Sequence, residues 1–247
     1  MSIYGEGWPE GLPYRGAGQV SGLDLVLDAE WGLKRAKGLI RGARMVGLDK
    51  WPTFDGLDIE VDLHDRSGWV LLSSEWLGLD WPWMFRDPFR LNLEPCRIEV
   101  AWRDAWQETW QAGFEDCAAA NSDVALRGNL LLTANENKPS IDANFRVERG
   151  DIARLDPYWP EPVMPESVKQ WLRQALLGGN IAEGRALIRG DMDDFPFRNG
   201  TGRFEAVARV ENLSLEYLEG WPRISDSSAV VRFVEASMEA TGRIGDN

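Results

Sequence analysis

The residues able to do chemistry are few, and their spacing is unhelpful to catalysis. His64 is the one histidine in the chain and follows directly on an alternating run of apolar and acidic residues. A lone histidine builds no metal centre without partners, and the simplest reading of it is a solvated turn residue rather than a general base. Asp191-Met192-Asp193-Asp194 concentrates carboxylates but lacks the glycine and the distant glutamate of a calcium loop, so it reads as a turn. Arg189-Gly190-Asp191 spells an adhesion tripeptide and is read as a strand end. Asn199-Gly200-Thr201 and Asn212-Leu213-Ser214 are acceptor sequons with meaning only in a secretory eukaryotic setting. Neither a Gly-x-Ser-x-Gly elbow nor a phosphate-binding or dinucleotide-binding glycine pattern occurs. Forty acidic residues always supply candidate pairs for glycoside hydrolysis, but most of them have a structural explanation on the wet faces of strands. No catalytic residue, metal ligand or cofactor is assigned. Cys96 and Cys117 could form a disulfide in an oxidising compartment, but nothing in the sequence fixes the distance between them, and two unpaired thiols are the simpler reading.

The elements around these residues are dominated by a period of two. Leu57-Asp58-Ile59-Glu60-Val61-Asp62-Leu63 alternates without a break, and in a strand that places four apolar side chains on one face and three carboxylates on the other. The pattern returns at Leu23–Asp28, Ile98–Arg103, Val124–Leu132 across Gly128, Ile141–Glu148 and Phe204–Glu211. Strands of this kind, about 25–30 Å long, have one dry and one wet face, as antiparallel sheets do. One helix interrupts them. Pro162 and Pro165 precede it, and Val168, Trp171, Leu172, Ala175 and Leu176 form a single apolar stripe. Gly178-Gly179 is read as its stop, with a strand resuming near Ala186. The expectation is a mainly β protein: an extended, curled antiparallel sheet with an open, repeat-like groove and one helix near residues 165–177. A β-rich segment over 1–150 precedes a second over 151–247 that opens with the helix. Trp51-Pro52 and Trp221-Pro222 each lead into a strand, with Trp8-Pro9 as a weaker echo, which suggests stacked strand units.

Composition narrows the partners. The 247 residues suffice for a real core, and 44% of them are hydrophobic. A net charge of -13 disfavours nucleic acid and electrostatic docking on anionic headgroups. Met1–Glu6 has neither a basic nor an apolar leader region, and no window approaches the ~18 apolar residues of a spanning helix. Any membrane anchor is therefore expected in a part of a longer chain not present here. Thirteen tryptophans suit wet–dry boundaries and sugar stacking equally.

Asp151 to Phe233 resembles the YhdP branch of the AsmA-like envelope proteins. The resemblance is carried by the Trp171-Leu172 helix, Gly178-Gly179, Ile188-Arg189-Gly190-Asp191 and Asp194-Phe195-Pro196-Phe197. It continues through Gly202-x-Phe204, Leu215-x-Tyr217 and Gly220-Trp221-Pro222-x-Ile224. Val20-Ser21-Gly22-Leu23 and Trp51-Pro52 extend it in style toward the N-terminus. The resemblance implies a bridge-type lipid carrier: a long β-groove with an apolar lining, in the periplasm of Gram-negative bacteria. It implies phospholipid acyl chains as cargo, an inner-membrane anchor outside this chain, and movement of lipid between inner and outer membranes. The lining is expected to include Leu57, Ile59, Val61, Leu63, Leu130, Leu132, Ile141, Phe145, Phe204 and Val210. Pattern alone favours a closed β-sandwich, and the resemblance reverses that order. Two other readings stand beside the groove. One is a carbohydrate-binding or carbohydrate-cleaving sandwich with Trp81, Trp83 and Trp106 as an exposed platform. The other is a module that only props up a larger scaffold. The charge makes one outcome specific: at physiological salt neither DNA nor bare anionic vesicles should retain the protein, and tight, salt-sensitive retention on either would contradict this reading of the surface.

Overall fold

The computed structural model describes residues 14–28, 33–103, 109–135, 138–160, 162, 164–218, 220–235 and 237–243. The strands are β1 (Tyr14–Leu27), β2 (Leu33–Gly47), β3 (Thr53–His64), β4 (Ser67–Asp80), β5 (Phe89–Arg103) and β6 (Thr109–Ala120). They continue as β7 (Val124–Asn135), β8 (Lys138–Asp151), β9 (Leu176–Asp191), β10 (Arg203–Leu215), β11 (Ile224–Val234) and β12 (Ser237–Arg243). All twelve belong to one sheet in sequence order, each antiparallel to the next. The sheet does not close into a barrel: β1 and β12 are its outer strands. The expected mainly β, curled antiparallel architecture with one helix is what the described residues adopt. It is one layer, not the two facing sheets of a sandwich.

Directly opposed residues of an antiparallel pair share a face, so the register traces the apolar side across the sheet. Leu63 lies opposite Gly68, Gly68 opposite Val100, Val100 opposite Ala112, Ala112 opposite Leu132 and Leu132 opposite Ile141. A second line runs from Leu130 through Ala143 and Ile188 to Phe204. The other face is charged. Arg41 reaches Asp58 at 3.1 Å, Lys37 reaches Asp62 at 3.8 Å and Arg189 reaches Asp142 at 2.8 Å. Pairs this exposed contribute at most about 1 kcal/mol each and mainly keep that face wet.

The strands are longer than the alternating runs, reaching 16 residues in β9. Hydrogen bonding continues where alternation lapses, through register shifts such as Ile40/Ala43 and Asp55/Asp58. In β1 the expected dry face does not form. Leu23, Leu25 and Leu27 are 44–52% exposed, because this outer strand has a neighbour on one side only and its register shifts twice beside them.

The sheet curls over its apolar side. Trp51, between β2 and β3, lies 6.4 Å from Trp110 on β6. Lys50 bonds Asp193, beyond β9, at 2.9 Å, and Trp83, between β4 and β5, lies 5.6 Å from Phe195. The Trp-Pro echo acquires a geometry. Trp51-Pro52, Trp81-Pro82, Trp159-Pro160 and Trp221-Pro222 all sit in even-to-odd connections, hence at one end of the sheet; Trp8-Pro9 lies outside the described residues.

The two cysteines are joined, not free. Cys96 on β5 and Cys117 on β6 form a disulfide with Cα atoms 5.1 Å apart, both buried on the apolar side. Pairing of β5 with β6 lapses here, between Leu93–Ala119 and Glu99–Gly113, and Pro95 has no N–H to give the ladder. The bond staples the sheet where hydrogen bonds do not. Closing a separation of 21 residues constrains the unfolded chain by about 3 kcal/mol. Cys96→Ser with Cys117→Ser should therefore lower the urea midpoint, as should a reductant on the wild type. A reductant should then have no further effect on the double variant.

Candidate functional site

The covered part of the apolar face lies under β8's C-terminal connection. Two 3-10 turns, Ile152–Arg154 and Asp156–Tyr158, lead through Trp159 to helix α1, Glu166–Ala175. Pro165 starts the helix, and the stripe of Val168, Trp171, Leu172 and Ala175 turns toward the sheet. The helix ends earlier than expected. Leu176 is both its cap and the first residue of β9, so Gly178-Gly179 lies inside the strand and is no helix stop. Gly179 is needed there for another reason: its φ is 134°, and a Cβ would sit 3.1 Å from Leu213 Cα.

Met164, Leu172, Phe197 and Phe204 form the buried cluster that seats α1, with Trp159, Trp171, Ile188 and Phe233 packed around them. Phe195 and Phe197 enter from the opposite end of the sheet, on the connection between β9 and β10. Asp191 caps that connection by accepting a hydrogen bond from the Asp193 amide at 2.9 Å, which fits the turn expected of the acidic run.

Between α1 and the sheet remains an apolar cavity of about 460 Å³. Ile152, Leu155, Trp159, Met164, Trp171 and Leu172 form its roof. Its floor is Ile181 of β9, Phe204, Ala206, Ala208 and Val210 of β10, Ala229, Val231 and Phe233 of β11, and Met238 and Ala240 of β12. Ser227, also on the wall, donates its hydroxyl to the Ser225 carbonyl at 3.1 Å. Ser228 and Arg243 also line it, but most of the wall is apolar and offers dispersion contacts, which suits a hydrocarbon chain.

Polar contacts hold the roof from outside. Asp156 accepts from Arg173 Nε at 2.8 Å and from Arg86 Nη2 at 2.7 Å, tying α1 to the connection between β4 and β5. Trp171 Nε1 donates to the Tyr217 carbonyl at 3.0 Å, and the Glu216 amide donates to the Ala175 carbonyl at 2.9 Å. Partial burial pushes the Asp156 carboxyl up, but the Arg173 and Arg86 guanidiniums outweigh it and hold it below the ordinary carboxylate range.

Of the ten expected lining residues, Phe204 and Val210 are in this cavity. Leu57 and Ile59 are buried in a separate filled cluster with Ala43 and Leu77, against which Val61 packs. Leu63, Leu130, Leu132, Ile141 and Phe145 are half-buried on the same sheet face, away from the cavity wall. The roof and the β11–β12 floor were not expected, although the helical stripe and the alternation of Ala229, Val231 and Phe233 carry the signal for both. Trp81 and Trp83 do not form an open platform: they pack on each other, on Phe85 and on Phe195; Trp106 lies outside the described residues. His64 is exposed at the end of β3, 2.6 Å from Asp62. Among the described residues no cluster of potential metal ligands occurs, and no helix is long and apolar enough to cross a membrane.

The anchor at Asp156 sets a pH dependence. A depressed carboxylate contributes stability above its unfolded pKa, lost as pH falls through the folded one. Thermal midpoints measured across the acid range should fall at and below the ordinary carboxylate range, and Asp156→Asn should be less stable at neutral pH with a shallower acid limb.

The chain matches the family described as YhdP protein over residues 14–246. It is also similar to the intermembrane phospholipid transporter YhdP of Escherichia coli strain K12. The two are 19% identical over 169 residues, which is 68% of this chain and 13% of that protein. The chain thus corresponds to a small part of that relative's length. No solved structure matches it.

Proposed function

The chain belongs to the YhdP family, and from that premise we propose that it forms one stretch of an apolar β-groove carrying phospholipid acyl chains between the membranes of a bacterial envelope. The observation that supports this most is a single sheet that has no second sheet against its apolar face among the described residues and keeps a largely apolar cavity beside α1. A chain of about sixteen carbons resists entering water by about 12 kcal/mol, at roughly 0.8 kcal/mol per methylene. A continuous dry face removes most of that barrier while the headgroup stays wet. The proposed lining runs through Val61, Leu63, Leu130, Leu132, Ile141, Phe145, Phe204 and Val210, joined by the cavity residues of α1 and β11, while Leu57 and Ile59 are packed into the filled cluster of the same face. The disulfide supports a periplasmic setting, since such bonds persist in oxidising compartments. Attachment to the inner membrane and delivery to the outer one belong to a longer chain. The role is transport, not catalysis.

The cavity gives a direct test. Ala208 is a small residue on its floor, so Ala208→Phe fills space without displacing packed atoms. After gentle purification, the wild type should carry phospholipid detectable by mass spectrometry. Ala208→Phe should carry at least several-fold less at an unchanged melting temperature. Ile59→Asp, in the filled cluster, should lose several kcal/mol of stability, whereas Asp58→Asn on the wet face should change neither property. A wild type free of lipid, or an Ala208→Phe variant equally loaded, would overturn the proposal.

A further inference from the structure

The wet face of the sheet holds a feature that acyl-chain carriage does not use. Arg127 of β7 lies directly opposite Arg146 of β8, and Arg146 directly opposite Arg185 of β9. Like charges so placed repel across a sheet. In a chain with 27 basic and 40 acidic residues, three adjacent arginines are not a general property of the surface. Next to this ladder Asn129 and Asn144 are also directly opposed. These five residues and Arg209 line an open cleft of about 900 Å³ on the charged side of β7–β10.

The charges in the cleft are unevenly satisfied. Arg127 is drawn toward β5 and β6 by Asp116 at 2.9 Å and Glu94 at 3.2 Å. Arg185 pairs with Glu183 at 3.1 Å and Arg209 with Glu211 at 2.9 Å. Glu205 is held by Arg203 and, at 2.7 Å, by Arg232. Glu115, at the cleft's border, has no ion-pair partner among the described residues. Arg146, in the centre of the ladder, is exposed and has none either.

We propose that this cleft binds a phosphate group, with the Arg146 and Arg185 forks as its charged contacts and the Asn129 and Asn144 amides as neutral donors. Guanidinium forks match phosphate oxygens bidentately, and an anion between opposed arginines turns their repulsion into attraction. Two guanidinium forks and two amides, set side by side on three adjacent strands, offer more donors than the roughly four hydrogen bonds that a carboxylate accepts. The inference does not depend on the lipid reading, because the cleft lies on the opposite face from the cavity. The phosphate can come from a soluble phosphate or from a lipid headgroup.

Calorimetric titration separates these sources. Inorganic phosphate is added in one arm and zwitterionic phosphatidylcholine nanodiscs in the other, each to the wild type, Arg146→Ala, Arg185→Ala and the remote control Arg223→Ala. The wild type and the control should bind inorganic phosphate saturably. Arg146→Ala should weaken binding about tenfold, the scale of one charge-assisted hydrogen bond, with a melting temperature unchanged or slightly raised as the ladder's repulsion is relieved. The same dependence on Arg146 in the nanodisc arm alone would assign the phosphate to a lipid headgroup. Absence of saturable binding in both arms, or binding by Arg146→Ala and Arg185→Ala as tight as by the wild type, would overturn the proposal.

Discussion

Everything in this molecule depends on the parity of its strand pairing. A single layer of twelve strands has no second sheet to correct a slipped register. Shifting one strand by a residue would move its apolar side chains to the charged face and break the line from Leu63 to Ile141. The shifts that do occur, at Phe114/Cys117 or Ala125/Leu126, are absorbed locally so that apolar positions still meet on one side. Both the dry cavity under α1 and the arginine ladder on the reverse follow from the same register, read from opposite sides.

The face is continuous but unevenly occupied. In β2–β5 its side chains fill one another's space, with Leu57 at 2% exposure and Ala43 at 3%. In β9–β12 the floor uses small residues, Ala206, Ala208, Ala229 and Ala240, and a helix lies above them in place of large side chains from the sheet itself. Small residues under a rigid roof leave a void, whereas Leu and Ile under a curled sheet do not. Hollow and filled stretches of one face therefore differ by side-chain volume and by what lies over them, not by hydrophobicity.

Much of this was legible in the sequence because it is local. Alternation at Leu57–Leu63 and Ile141–Glu148 fixes which residues share a face, and the stripe from Val168 to Ala175 fixes the helix. The misreadings came from information held elsewhere in the fold. Gly178-Gly179 looks like a helix end when read alone, but its conformation is set by the pairing of β9 with β10. Cys96 and Cys117 meet only because β5 and β6 are neighbours with a lapse in their ladder. The cavity is bounded by Trp159, Met164 and Trp171, whose positions depend on anchors as distant in sequence as Arg86 and Tyr217. No periodicity encodes such a roof.

The disulfide can also be considered mechanically. A one-layer meander deforms like a leaf spring, each strand sliding a little past its neighbour as the sheet bends. Hydrogen bonds resist that sliding weakly and re-form afterwards; a covalent rung does not yield. Cys96–Cys117 acts as a rivet between two leaves, β1–β5 and β6–β12. Sliding at that one point of the seam is opposed by a covalent bond, which makes the pairings away from it the softer places for a change of curvature.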